Sequence, residues 1–264
     1  MRYAIACDME GIAGVVGYPK EGLGNTSKQF QAAAKQAVQE INSAVRALYD
    51  SGAEMVYVWD NHNGSLNMDY NELDKRVDIV AGVGAKHRWP GLYDKDIDAV
   101  LLLGYHPKAD TFAGILTHTC SSVTYQYIKL NGISVGEVEI DAASATRLLG
   151  APLIFIAGDN KLVGQINRDM PWVTTVVTKE AIGRNLAVLK HPARVVDEIY
   201  EGVRTAVTKI DDAVLYDIKD PVTVEARFLR LEDAEAVYNS KSKDVELIDA
   251  FTVRYTVKSF LELY

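Results

Sequence analysis

The sequence predicts an α/β fold: a mainly parallel sheet flanked by helices, with an inserted β-hairpin and a smaller C-terminal α+β subdomain. Three observations carry this. Strand-length apolar runs alternate with helix-period segments over roughly the first 180 residues. The run Asp98–Leu103 is apolar from Ala99 onward, as in a strand buried on both faces. After Thr178 the alternation gives way to a helix and short two-residue-period strands. The division this suggests is a catalytic α/β domain over 1–190 and an α+β subdomain over 191–264, packed on the same core.

The elements follow in order. Arg2–Cys7 is a short, mostly apolar strand. A loop with Gly11, Gly14, Gly17, Gly22 and Gly24 comes next; its spacing is not the dinucleotide fingerprint, and it reads as a flexible loop beside a site. Thr26 and Gln29 form a capping-box pattern, and a helix runs to about Asp50 with Phe30, Ala33, Ala34, Val38, Ile41, Val45 and Leu48 on one stripe. Glu54–Asp60 is the second strand; strand, helix and strand imply a right-handed crossover and parallel pairing. Val77–Val80 is a third, at an edge. Asp98–Leu103 is the fourth and ends in Gly104-Tyr105-His106-Pro107. Val123–Leu130 alternates, Asn131-Gly132 is a two-residue hairpin signal, and Ile133–Val135 returns. Gly136-Glu137 opens a helix through Ala142, Ala145 and Leu148 to Gly150. Pro152–Ala157 is a buried strand, Gly158-Asp159-Asn160 starts a helix to about Arg168, and Val173–Val177 is the last parallel strand. Beyond lie a helix over Ala193–Thr208, a strand over Pro221–Phe228, a short helix over Glu232–Tyr238, and a strand plus terminal helix over Ala250–Tyr264.

Bulk properties exclude several classes. With 264 residues, 48% hydrophobic and 24% charged, the chain can bury a large core and is not disordered. A formal net charge of -8 argues against a nucleic-acid surface. No apolar run approaches the ~20 residues that span a bilayer, and no signal segment is expected. The two cysteines, Cys7 and Cys120, fall in a core strand and a loop, so no disulfide framework is expected and the compartment is a reducing, cytoplasmic one.

The chemistry concentrates at strand ends. Asp8 and Glu10 lie two apart, so in an extended chain they share a face. Two carboxylates at the end of a buried strand repel each other and lose hydration, and a bound cation offsets both costs. His62 and His106 also fall just beyond predicted parallel strands, where open α/β sheets bind ligands. Asp60 is placed equally well to serve where His62 does. His118, just before the hairpin, and Glu137, just after it, can reach the same rim. His87 and His191 lack acidic company and read as structural. Carboxylates and imidazoles without thiolate suit zinc, and also manganese or cobalt.

These motifs have a familiar order. Asp8-Met9-Glu10-Gly11, Asp60-Asn61-His62, Leu103-Gly104-Tyr105-His106, Gly114–His118 with its Thr-His-Thr, and Val135-Gly136-Glu137 together resemble the D-aminopeptidase family of binuclear zinc peptidases. Ala157-Gly158-Asp159 and Thr178–Asn185 are similar too, so the likeness covers roughly residues 1 to 190. The resemblance implies two zinc ions per chain. Asp8 would bridge them, Glu10 and His62 would complete one, and His106 and Glu137 the other. It implies that His118 is the catalytic histidine, described in the family as the nucleophile. It also implies hydrolysis of short peptides from the N-terminus and a ring-shaped homodecamer. The chemistry of a dinuclear site favours activated water as the attacking group, with His118 as general base or as an imidazolium stabilising the oxyanion.

Two other classes compete. A dinuclear-metal amidase or phosphoesterase would use the same rim, with Lys86, Arg88 and Lys108 as candidate phosphate partners. A non-enzymatic metabolite-binding module would use the Gly-rich loop and hold no transition metal.

Overall fold

The computed structural model describes residues 1–18, 22–24, 26–240 and 244–263. Seven strands form the main sheet: β1 (Arg2–Cys7), β2 (Met55–Asp60), β3 (Val77–Val80), β4 (Ala99–Tyr105), β7 (Leu153–Asp159), β8 (Thr174–Gly183) and β9 (Leu186–Leu189), in the order β3-β2-β1-β4-β7-β8-β9. All neighbours are parallel except β8 and β9. The chain therefore winds outward in one direction from β1 to β3 and in the other from β4 to β8. The switch lies between β1 and β4, where open α/β sheets leave a crevice.

Alternation along these strands sends side chains to two cores. Ile5, Leu101, Leu103 and Phe155 face helix α1 (Lys28–Asp50) and helix α4 (Pro192–Thr208), against Ile41, Val45, Leu48, Val195, Ile199 and Val203. Ala4, Ala6, Val100, Leu102 and Ile156 face helices α2 (Glu137–Leu149) and α3 (Asn160–Asp169), against Val138, Ala142, Ala145, Leu162 and Ile166. Each fully buried Leu or Ile side chain contributes about 1.5–3 kcal/mol, so β1 and β4, covered on both faces, are the rigid centre.

A second, antiparallel sheet has the order β11-β12-β10-β5-β6, from β5 (Tyr125–Leu130), β6 (Ile133–Val135), β10 (Val222–Phe228), β11 (Glu246–Asp249) and β12 (Thr252–Val257). Asn131 and Gly132 take φ of 52° and 82° between β5 and β6, the twist that a two-residue hairpin needs. The expected hairpin thus supplies two strands of this sheet, paired to β10. Helix α4, by contrast, packs on α1 and the main sheet. The segments on either side of residue 190 are interleaved. Helix α5 (Leu231–Ser240) covers the outer end of the second sheet through Ala234.

Several local expectations are corrected. The cap of α1 is Ser27, which accepts from the Phe30 amide at 3.0 Å, one residue past Thr26. Strand β8 runs on to Gly183 and turns back as β9, because past Val177 it pairs with that returning strand instead of ending. Residues 11–15 are not a flexible loop: Ile12, Ala13 and Val15 are buried. The remainder of the expected Gly-rich loop includes 19–21, outside the described residues. The terminal helix is a 3-10 turn, Phe260–Leu263, and Tyr264 lies outside the described residues. Among the described residues no helix is long and apolar enough to cross a membrane.

The ends of β1 and β4 touch through glycine. The Gly11 amide donates to the Gly104 carbonyl at 2.6 Å, and the Asp8 amide to Leu103 at 2.9 Å. Gly104 has φ of +70°, and a Cβ there would overlap the Asp8 carbonyl oxygen. Gly104→Ala is therefore expected to destabilise the fold by roughly 2–4 kcal/mol. Urea unfolding checks it: the midpoint drops while the slope is kept.

Candidate metal centre

Register places the site. Cys7 is level with both Asp60 and Leu103, so β1 and β2 end together and β4 runs on to Tyr105 beside them. Asp8, His62 and His106 leave those three ends and meet over the switch point. Asp8 presents one oxygen to each histidine: Oδ1 lies 2.8 Å from His62 Nδ1, and Oδ2 lies 3.4 Å from His106 Nε2. Glu10 Oε2 is 3.3 Å from His62 Nδ1. Glu137, at the first position of α2, brings Oε1 to 3.3 Å from His106 Nε2 and 3.6 Å from His118 Nε2. The rings of His106 and His118 stack at 4.0 Å. The five expected ligand positions and His118 are thus brought together, and Asp8 and His106 are neighbours.

Asp60 takes a different part. It is fully buried, and its carboxylate accepts from the Asn67 amide at 2.8 Å, the Asn67 side chain at 2.7 Å and the Tyr70 hydroxyl at 3.1 Å. It shapes the turn that aims His62. His191 caps α4 by accepting from Ala193, and His87 stands apart from the cluster. Cys7 and Cys120 are both free.

The arrangement is short of positive charge. His106 Nδ1 faces the Pro107 carbonyl at 3.0 Å and His118 Nδ1 faces Leu116 at 2.8 Å. A backbone carbonyl on Nδ1 keeps the hydrogen there and leaves the Nε2 lone pair aimed inward. Glu10 Oε2 and His106 Nε2 are buried without a hydrogen-bond partner, a costly condition for polar atoms. One donor atom each from Asp8, Glu10 and His106, and one each from His106, His118 and Glu137, lie within 4.8 Å of one another. The titration behaviour agrees. Burial, then Glu10, pushes the Asp8 carboxyl up to about 7. Burial works against charge on the imidazoles, yet Glu10 and Asp8 carry His62 up to about 11, and Glu137 carries His106 up to about 10. Carboxylates packed this closely draw protons onto themselves and onto the imidazoles beside them. Orphaned inward lone pairs and a carboxylate–imidazole donor set fit borderline divalent cations.

His118 sits on a constrained loop. Ala113, Leu116 and Cys120 all adopt positive φ, a conformation non-glycine residues hold only when their surroundings impose it. Those surroundings are specific: the Ile115 amide donates to Asp159 Oδ2 at 2.7 Å, Leu116 to the Arg184 carbonyl at 2.9 Å, and Cys120 to Glu137 Oε1 at 2.9 Å. Burial, then His106, holds the His118 imidazole below its ordinary value, so it stays a neutral acceptor near neutrality.

A cavity of about 480 Å³ opens on the cluster, lined by Asp8, Glu10, His62, His118 and Glu137 with Asn61, Arg88, Cys120 and Arg184, among others. This is a small-molecule volume. Of the three cations weighed for phosphate, only Arg88 lines it; Lys86 is exposed elsewhere and Lys108 donates to the Ser134 carbonyl.

Lys179 is the residue that sequence reading missed. It is fully buried, and Nζ donates to the carbonyls of Glu10, Ile12 and Val15 at 2.6, 2.8 and 2.7 Å. Thr178 adds a bond to the Gly11 carbonyl at 2.6 Å. The one available signal was a lysine inside a strand-like stretch that also carried part of the family likeness. Glu40 lies behind the same loop and accepts from Ala13 and Gln36. Burial, against those hydrogen bonds, raises its carboxyl to about 7, from an ordinary 4.5. Between those values the folded chain holds a proton that the unfolded chain has lost, so stability falls as pH rises through that window. Glu40→Gln removes this slope. Relative to the parent, the variant is expected to gain roughly 2–3 kcal/mol between pH 4.5 and pH 8, read by urea unfolding at the two values.

Known proteins with the same organisation exist. A family model described as D-aminopeptidase matches residues 1–264, the whole chain. The D-aminopeptidase of Bacillus subtilis (strain 168) is 25% identical over 266 residues, spanning 100% of this chain and 94% of that protein. A solved structure, the Zn-dependent D-aminopeptidase DppA from Bacillus subtilis, described as a self-compartmentalizing protease, superposes with a TM-score of 0.91. It covers 99% of this chain and 93% of its own, at 23% identity; the mainly parallel α/β fold is shared.

Proposed function

The chain belongs to the D-aminopeptidase family, and from that premise we propose that it is a zinc-dependent aminopeptidase that removes the N-terminal residue of short peptides, D-residues among them. The observation that carries this is the Asp8 carboxylate, which turns one oxygen to His62 and the other to His106. That is the posture of a residue shared between two ions. Asp8 with Glu10 and His62 would hold one zinc; Asp8 with His106 and Glu137 would hold the other. When bound, the pair supplies Lewis-acid polarisation of the scissile carbonyl and water activated near neutral pH.

The chain's own residues do the rest. The cavity takes the substrate with its amino end against the carboxylates of Asp8, Glu10 and Glu137. His118 keeps its hydrogen on Nδ1 through the Leu116 carbonyl and offers Nε2 to accept a proton as bond formation begins. The same nitrogen then returns that proton to the departing amine. Burial, then His106, lowers the basicity of His118, which keeps it a neutral acceptor. The Ala113–Cys120 loop fixes the ring, so little reorganisation accompanies transfer.

The remaining properties are read the same way. The enzyme is a homo-oligomer, decameric by family resemblance, and its free Cys7 and Cys120 suit the cytoplasm. The test is elemental: purified protein is expected to carry two zinc ions per chain. A chelator should abolish hydrolysis of an alanyl dipeptide, and zinc should restore it. Protein without transition metal, or hydrolysis indifferent to chelator, overturns the reading.

A further inference from the structure

Arg88 is fixed on one side and open on the other. Its Nε and Nη2 form a two-pronged pair with Asp141, at 2.5 and 2.8 Å, and its guanidinium carbon lies 4.7 Å from the Trp59 ring centre. Asp141 is itself fully buried and receives the Tyr105 hydroxyl at 2.6 Å and the Asn61 amide at 3.2 Å. Both the plane and the position of the guanidinium are therefore set before any ligand arrives. Among the described residues nothing hydrogen-bonds Nη1, and the side chain borders the same cavity as Glu137 and His118.

The bracing of the 81–98 segment against α2 needs only Nε, Nη2 and the bond from Trp89 Nε1 to the Asp141 carbonyl at 2.9 Å. That role leaves the Nη1 edge unused. A guanidinium edge matches a planar carboxylate better than any other small anion donor does. The other cation on the cavity wall, Arg184, is exposed and makes one long bond, 3.4 Å, to the Thr117 carbonyl. Arg88 alone is prearranged.

We propose that Arg88 receives the C-terminal carboxylate of the substrate and so selects very short peptides with a free carboxyl end. This deepens the aminopeptidase reading and rests on it. With the amino end held at Asp8, Glu10 and Glu137, the far end of a di- or tripeptide lies within the same cavity. An amidated or much longer peptide cannot present an anion there.

The test compares alanyl-alanine, in D and L forms, with its C-terminal amide. Two variants are used on the zinc-loaded enzyme. Arg88→Lys keeps the charge and loses the fork; Arg88→Met combined with Asp141→Asn removes both charges and leaves no buried ion unpaired. Melting curves confirm that each is folded. The parent is expected to prefer the free acid by roughly 10–100-fold in kcat/KM, and both variants to lose that preference, mainly through KM, while amide hydrolysis stays within about threefold. Equal losses on acid and amide, or an unchanged preference, overturn the proposal. If the parent hydrolyses neither peptide, the aminopeptidase reading falls. Calorimetric binding of the same acid–amide pair to parent and variants then decides the role of Arg88, and equal affinities refute it.

Discussion

Replacing His118 with Ala is expected to lower kcat by about 10²–10⁴-fold with two zinc ions still bound per chain and KM little changed. The imidazole faces the cavity from a loop pinned by Asp159, Arg184 and Glu137, so its removal takes away a proton carrier and leaves the frame. Its Nε2 is 3.6 Å from Glu137, close enough that a ligand role is the rival explanation. Zinc counted per chain alongside single-turnover rates separates them. A variant that has lost an ion makes His118 a ligand. A variant that keeps both ions and its rate leaves the histidine without a chemical part.

Asp8→Asn is expected to be the more damaging change. Asparagine keeps the shape and removes the charge, and one of the two oxygens facing His62 and His106 becomes an amide nitrogen, which cannot ligate. Zinc content should fall from two per chain to one or fewer. The loss of several kcal/mol of charge stabilisation should reduce kcat/KM by at least about 10³-fold. The fold should survive, because the Asp8 backbone bond to Leu103 at 2.9 Å does not involve the side chain. Unchanged zinc content would show that Asp8 is not shared. With Glu10→Gln as a comparison, loss of one ion is expected, since Glu10 pairs with His62.

Much of this was legible before any coordinates. Apolar runs set the parallel strands, and a parallel strand's end is where polar residues converge; hence Asp8, His62 and His106 were placed on one rim by order alone. The hairpin at Asn131-Gly132 declared itself through turn chemistry. What stayed hidden was what depends on distant partners. Only the family likeness joined Glu137 to His106, and nothing in the local sequence says that β5 pairs with β10 across some ninety residues. Asp60 and His62 were equivalent in pattern, and only the donors around Asp60, from Asn67 and Tyr70, tell them apart. Arg88 and Asp141 lie 53 positions apart, and each looks ordinary by itself. Strand β8 was cut short at Val177, because its continuation through Lys179 to Gly183 rests on pairing with β9.

That lysine has a consequence for how the protein handles its ions. The Lys179 ammonium, enclosed by three main-chain oxygens, grips the back of the segment whose front carries Glu10. The front can then gain or release zinc without the segment collapsing, since its curvature is maintained from behind. Loading becomes a docking event on a ready-made seat, not a folding transition.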